Sequence, residues 1–98
     1  MPKKNKKTKY SVYILEAADH TYYTGLTNNL KKRVEQHNSG HGAKYLKGRL
    51  PAKLVYYEPA KNLKTAMKRE IQIKRMPRSR KIELITITKR LKSTNVKS

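Results

Sequence analysis

Tyr13 and Tyr23 stand ten residues apart in two short runs, Ser-Val-Tyr-Ile-Leu at 11–15 and Tyr-Tyr-Thr-Gly-Leu at 22–26. Arg33 and His37 follow, four residues apart. Phenols, a guanidinium and an imidazole gathered in one stretch suit the handling of a phosphodiester, because each can donate to a crowded anionic oxygen or take a proton beside it. Acyl and hydride chemistry find no comparable set. The chain has no cysteine, no glycine-rich phosphate loop, no Ser/His/Asp arrangement and no paired carboxylates.

Each of these residues also has a more ordinary role. Tyrosines in half-buried strands are most often core aromatics, and an arginine on a basic helix is most often a solvated charge. A lone histidine on a helix is usually structural. In favour of chemistry, Arg33 precedes His37 by one helical turn, so the two share an edge of one helix and can serve one site. Arginine stays charged and offers a planar fork to phosphate oxygens. A general-base tyrosine, which titrates near 10 when free, needs cations beside it, and this chain supplies them in excess. His37 and His41 have helical zinc spacing, but Gly40 between them ends the helix and no third ligand is placed.

Glu70 is the only acid between Lys61 and Lys81, among Lys64, Lys68, Arg69, Lys74 and Arg75. Helical spacing puts it on the face of Ala66, Met67 and Ile73, which should meet the rest of the fold. Two readings stay open. A single carboxylate with waters and substrate phosphate is how Mg²⁺ is commonly held, while an i,i+4 pair with Lys74 is worth only about 0.2–0.5 kcal/mol.

The elements that must position these groups can be read along the chain. Tyr10 to Glu16 and Tyr22 to Leu26 have strand character and flank a turn, giving a hairpin. Asn28 or Asn29 caps a helix over 29–39 that Ser39-Gly40 terminates. Residues 40–51 hold three of the four glycines with Lys44, Lys47 and Arg49, a basic loop suited to a backbone phosphate. Ala52 to Glu58 is a third strand closed by Pro59, and Asn62 to Arg75 a second helix stopped before Pro77, with Lys74 and Arg75 as further phosphate contacts. Arg80 to Leu91 is assigned to a third helix, although Leu84 to Thr88 favours a strand by composition. The order ββαβα(α) predicts an α+β domain, a three-stranded antiparallel sheet flanked by helices. Residues 1–9 and 93–98, Lys-rich and aperiodic, read as a disordered arm and a flexible tail around one domain at 10–92.

Composition narrows the partner. The 98 residues carry 25 Lys and Arg against 6 Asp and Glu, a formal charge of +19, which is costly in self-repulsion unless a polyanion is the usual neighbour. Nucleic acid is the leading candidate. An anionic membrane ranks far below, since Trp and Phe are absent and no broad apolar helix face is visible. The first apolar run is too short for a signal peptide, no run approaches a membrane span, and zero cysteines suit a reducing compartment, so a cytoplasmic location is expected.

Taken in order, Val12-Tyr13-Ile14, Tyr23-Thr24-Gly25, Asn29-Leu30 with Arg33, then His37 and Glu70 resemble the GIY-YIG nuclease superfamily. The resemblance covers about Tyr10 to Ile85. The stretches Gln36 to Gly40, Gly42 to Tyr45 and Glu70 to Lys74 look like its small stand-alone members. The resemblance implies an active site of Tyr13, Tyr23, Arg33, His37 and Glu70, with Glu70 holding Mg²⁺ or Mn²⁺. Tyr23, helped by Tyr13 or His37, would activate water, and Arg33 would neutralise the transition state. It also implies an endonuclease acting on DNA, with RNA the second candidate, of low sequence specificity and a role in repair or recombination. Ser11 stands where the first motif would have glycine, Thr24 replaces the isoleucine of the second, and Leu26 stands where repair-type members often have lysine. The rival from another class is a non-catalytic nucleic-acid binder.

Overall fold

Four consecutive residues of the first strand, Val12 to Leu15, have no exposed surface. A strand alternates its side chains between two faces, so a fully buried run must be covered on both. The computed structural model, which describes the backbone of residues 9–97 and the side chains of residues 9–88, shows how. Strand β1 (Tyr10–Glu16) lies between β2 (Tyr22–Thr27) and β3 (Lys53–Ala60), antiparallel to both, in the order β2-β1-β3. On one face Val12 and Ile14 pack with Tyr56, Ala66, Ile73 and Ile85. On the other, Tyr13, Leu15 and Ala17 pack with Leu46 and Ala52, flanked by Leu30 and Val34.

Helix α1 (Leu30–Asn38) and the loop after it, with a 3₁₀ turn at Lys44–Leu46, cover the Tyr13 face. Helices α2 (Leu63–Arg75) and α3 (Arg78–Lys97) supply the cover for the opposite face. The N-caps of α1 and α2 are asparagines, as their chemistry favours. The Asn29 side chain accepts from the Lys32 amide at 3.2 Å and that of Asn62 from the Thr65 amide at 2.9 Å. The fold is the expected α+β arrangement of a three-stranded antiparallel sheet flanked by helices.

Three local expectations are revised. Strand β3 continues through Pro59 to Ala60 rather than closing before it. It is an edge strand, where a residue without an N–H can sit without breaking the ladder. Met67 is half exposed, so the buried stripe of α2 is narrower than its spacing suggested, with Ala66 and Ile73 at its centre. Helix α3 begins at Arg78 and runs to Lys97, beyond both ends of the expected Arg80 to Leu91. The β-rich stretch Leu84 to Thr88 is helical because Ile85 and Leu84 join the Val12 and Ile14 core, and packing overrides propensity. The arm at 1–9 lies, Lys9 apart, outside the described residues.

Candidate active site

Register sets the first half of the site. Tyr13 in β1 lies opposite Gly25 in β2, and Leu15 lies opposite Tyr23, so both phenols share the α1 face of the sheet. Their rings are 6.3 Å apart. The phenol of Tyr13 occupies the space a side chain at residue 25 would need: a Cβ there would fall 2.6 Å from the Tyr13 hydroxyl oxygen and 2.8 Å from Cζ. Glycine is therefore required at 25 by the tyrosine across the ladder. Tyr13 is fully buried, whereas Tyr23 keeps part of its surface.

Helix α1 delivers His37, 1% exposed, onto the same phenol. Its Nε2 lies 3.0 Å from the Tyr13 hydroxyl, and its Nδ1 lies 3.1 Å from the amide nitrogen of Ala43. A backbone amide only donates, so Nδ1 is the acceptor and the neutral ring carries its hydrogen on Nε2. His37 therefore donates to Tyr13. Burial, with the Arg33 charge adding to it, lowers the His37 pKa and keeps the ring neutral. In this arrangement both ring nitrogens are engaged, Nε2 with Tyr13 and Nδ1 with the Ala43 amide. Gly42 makes the arrangement possible, since a Cβ there would fall 2.1 Å from Nδ1 and 2.7 Å from the His37 Cα. Asn38, the next residue, pins the end of α1 to the start of β3: its amide nitrogen donates to the Ala52 carbonyl and its oxygen accepts from the Ala52 amide, both at 2.8 Å.

Arg33 and Glu70 act on the same phenol. Burial raises the Tyr13 pKa, a hydrogen bond from the Arg33 side chain works against it, and the charges of Tyr23 and Glu70 add to the rise. Arg33 also donates from Nη1 to the Gln36 side chain at 3.1 Å, which fixes its plane. Glu70 comes from α2 on the opposite face of the sheet and is 21% exposed at its side chain. Lys74 pairs with it at 3.5 Å, so the local ion pair weighed from the sequence exists, at long range. The described residues contain no cluster of three or more acidic or histidine ligands. One partly exposed carboxylate with hard oxygen donors and a loosely held partner fits a divalent cation whose remaining positions are filled by water and phosphate. The structure does not place His41 with His37: His41 is exposed, its Nδ1 3.1 Å from the Ser39 hydroxyl.

Of the residues assigned to phosphate contact, Lys44, Lys47, Lys74 and Arg75 are exposed. Arg49 is already engaged. Its Nη1 pairs with Asp19 at 2.7 Å, and its guanidinium sits 4.5 Å over the ring of Tyr45, which in turn stacks on Tyr23 at 6.0 Å. Hydrogen bonds from Thr21, and then the pairing with Arg49, hold the Asp19 carboxyl below its usual range. The sequence reading missed Gly42 and Ala43 as parts of the site. Their signal was present in Gly42-Ala43-Lys44-Tyr45, but nothing local says that this loop folds back onto α1.

No described helix is long and apolar enough to cross a membrane. The sequence profile described as the GIY-YIG catalytic domain matches residues 9–83. Among curated relatives, a UPF0213 protein of Clostridium perfringens is 50% identical over 86% of this chain and 89% of its own length. A UPF0213 protein of Syntrophus aciditrophicus is 53% identical over 80% and 91%. A solution NMR structure of a UPF0213 protein from Bacillus halodurans superposes with a TM-score of 0.54 at 38% identity, covering 81% of this chain and 84% of that one.

Proposed function

We propose, from the premise that this chain belongs to the GIY-YIG family, that it is a metal-dependent endonuclease hydrolysing phosphodiester bonds in DNA with low sequence specificity, in repair or recombination. The observation that carries this reading is the gathering at one buried phenol of β1 of a neutral histidine donor and a guanidinium from α1, with a carboxylate from α2 near enough for its charge to raise the phenol's pKa.

The groups divide the work as follows. Tyr23, the phenol with exposed surface, orients and deprotonates the attacking water with the assistance of Tyr13. The water's oxygen adds to phosphorus as its proton passes to the Tyr23 oxygen and the phenolic proton passes on to solvent; the bond from phosphorus to the leaving sugar oxygen breaks, and that oxygen takes a proton from solvent. Arg33 faces the charge that grows on the non-bridging oxygens, and its bond to Gln36 removes freedom that would otherwise be lost on binding. His37 keeps the Tyr13 oxygen in place without changing charge. Glu70 would hold the cation, Mg²⁺ or Mn²⁺, which when bound supplies positive charge beside the leaving oxygen. The net charge of +19 supplies affinity for the polyanion and predicts strong salt dependence, log K falling by about 0.9 per neutralised phosphate on duplex DNA.

The same charge favours a second reading, a nucleic-acid binder without catalysis. Cleavage of supercoiled, linear, single-stranded and branched DNA with Mg²⁺, Mn²⁺ or EDTA separates the two. Metal-dependent nicking that disappears in Glu70→Ala and Arg33→Ala, with binding retained in Glu70→Ala, supports the nuclease. Tight binding with no cleavage of any substrate, and affinity equal or higher in Glu70→Ala, supports the binder.

A further inference from the structure

Beside the Tyr13 cluster an open cleft of about 240 Å³ is lined by Tyr22, Tyr23, Thr24, Tyr45, Lys74 and Lys81. Tyr23 and Tyr45 form an aromatic wall, and α2 and α3 contribute two ammonium groups. Tyr45 is 42% exposed, an unusual position for a ring that the fold takes trouble to immobilise. Tyr23 stacks on it, the Arg49 guanidinium lies over it, and Asp19 anchors that guanidinium from the β1–β2 turn. The Arg49 carbonyl also accepts from the Ala18 amide at 2.7 Å, so the backbone of the loop is tied to the same turn. A rigid exposed aromatic surface loses little freedom when a flat ligand stacks on it.

We propose that this cleft takes one unpaired nucleotide, its base laid against the part of the Tyr45 ring that Tyr23 and Arg49 leave exposed and its phosphate between Lys74 and Lys81. A base inside a duplex has both faces covered by its neighbours and must leave the stack to meet a side-chain ring. The preferred substrate is therefore single-stranded or locally unpaired nucleic acid rather than intact duplex. The inference rests on the nucleic-acid reading above and narrows it. Two features join the cleft to the reaction. Tyr23 belongs to both, and Lys74 is the residue that pairs with Glu70, so a phosphate arriving at Lys74 draws that ammonium away and leaves the carboxylate for a cation.

The test is binding without turnover: the full chain in EDTA, against a labelled single strand and the blunt duplex it forms with its complement. Stacking on an aromatic residue is worth about 1–3 kcal/mol per base by alanine substitution, which at 1.4 kcal/mol per decade is roughly a 5- to 150-fold loss. Tyr45→Ala should weaken single-strand binding by that factor and leave binding of the blunt duplex unchanged, while Tyr45→Phe should behave as the wild type. Equal losses on both ligands, or on neither, would overturn the proposal. An abasic scan of the single strand against the wild-type protein covers the case in which Tyr45→Ala does not fold. One position at which removing the base weakens binding supports the cleft, and a flat scan refutes it. Single-strand preference without cleavage under any metal would leave this inference standing and sink the nuclease reading. Metal-dependent cleavage of intact duplex with no dependence on Tyr45 would do the reverse.

Discussion

Replacing Gly42 by alanine should undo the fixed tautomer of His37. The added Cβ would sit 2.1 Å from Nδ1, where ordinary contact begins at 3.4 Å, and 2.7 Å from the Cα of a buried helical residue that has nowhere to go. The loop must withdraw by about 1.3 Å, which carries the Ala43 amide from its 3.1 Å contact with Nδ1 beyond hydrogen-bonding range. Overpacking of this kind costs about 1–3 kcal/mol. A buried acceptor left without its donor adds about 1–3 kcal/mol before loop relaxation admits water. We expect about 2–4 kcal/mol in total, which at roughly 4–8 °C per kcal/mol lowers the melting temperature by roughly 10–30 °C. Thermal melting followed by circular dichroism measures the stability. Long-range ¹H–¹⁵N correlation of the imidazole reads the tautomer directly, with the hydrogen on Nε2 in the wild type and mixed tautomers in the variant. An unchanged melting temperature together with an unchanged ¹⁵N pattern would refute the claim that Gly42 and Ala43 set the state of His37.

Gly25→Ala should displace the Tyr13 phenol rather than the backbone. Its stability cost should stay near about 1–3 kcal/mol while cleavage falls further, on the order of a hundredfold for a misplacement near 1 Å, and single-turnover rates on folded variant would show full activity if this is wrong. His37→Gln should change the pH dependence of stability. The folded wild type holds His37 with a lowered pKa, so its contribution is complete above the unfolded value near 6.5 and is lost as pH falls through the folded value. The wild type's advantage over the variant in urea melts should therefore shrink between pH 8 and pH 5, and an advantage that grows would contradict the sign. Ile73→Ala removes a fully buried side chain beneath the sheet and should cost about 2–5 kcal/mol without altering the His37 ¹⁵N pattern.

What could be read from the chain depended on how local its cause was. The strands at Tyr10 and Tyr22, the asparagine cap of the first helix and the stop before Pro77 rest on neighbours within a few residues, and the structure has all of them. The ordered set Tyr13, Tyr23, Arg33, His37 and Glu70 was legible as a pattern, but the sense of the His37 to Tyr13 hydrogen bond was not. It depends on an amide six residues beyond His37, in a loop whose path is fixed by Leu46 in the core and by Arg49 pairing with Asp19 thirty residues earlier. Composition alone points the wrong way at residues 84–88 for the same reason, and the helix assigned there holds because Ile85 joins the core of Val12, Ile14 and Tyr56. Pro59 misled in a different way: whether a strand tolerates proline depends on whether another strand pairs beyond it, a property of the sheet and not of the segment.

The two hydrogen bonds from Asn38 to Ala52 also act as a clasp. One side-chain amide closes a circuit of chain 14 residues long, and everything between its ends, from Gly42 through Tyr45 to Arg49, hangs outside the sheet and helices. The entropy of closing such a circuit rises only by about 0.6 kcal/mol for each doubling of its length. Residues can therefore be added to the outer part of the circuit at little expense to the fold, provided that Gly42 and Ala43 still reach His37 and Leu46 still reaches the core. Loop length and folding are thereby made separable in this small protein: the outer part of the circuit can be recut, while the frame that holds the phenols stays as it is.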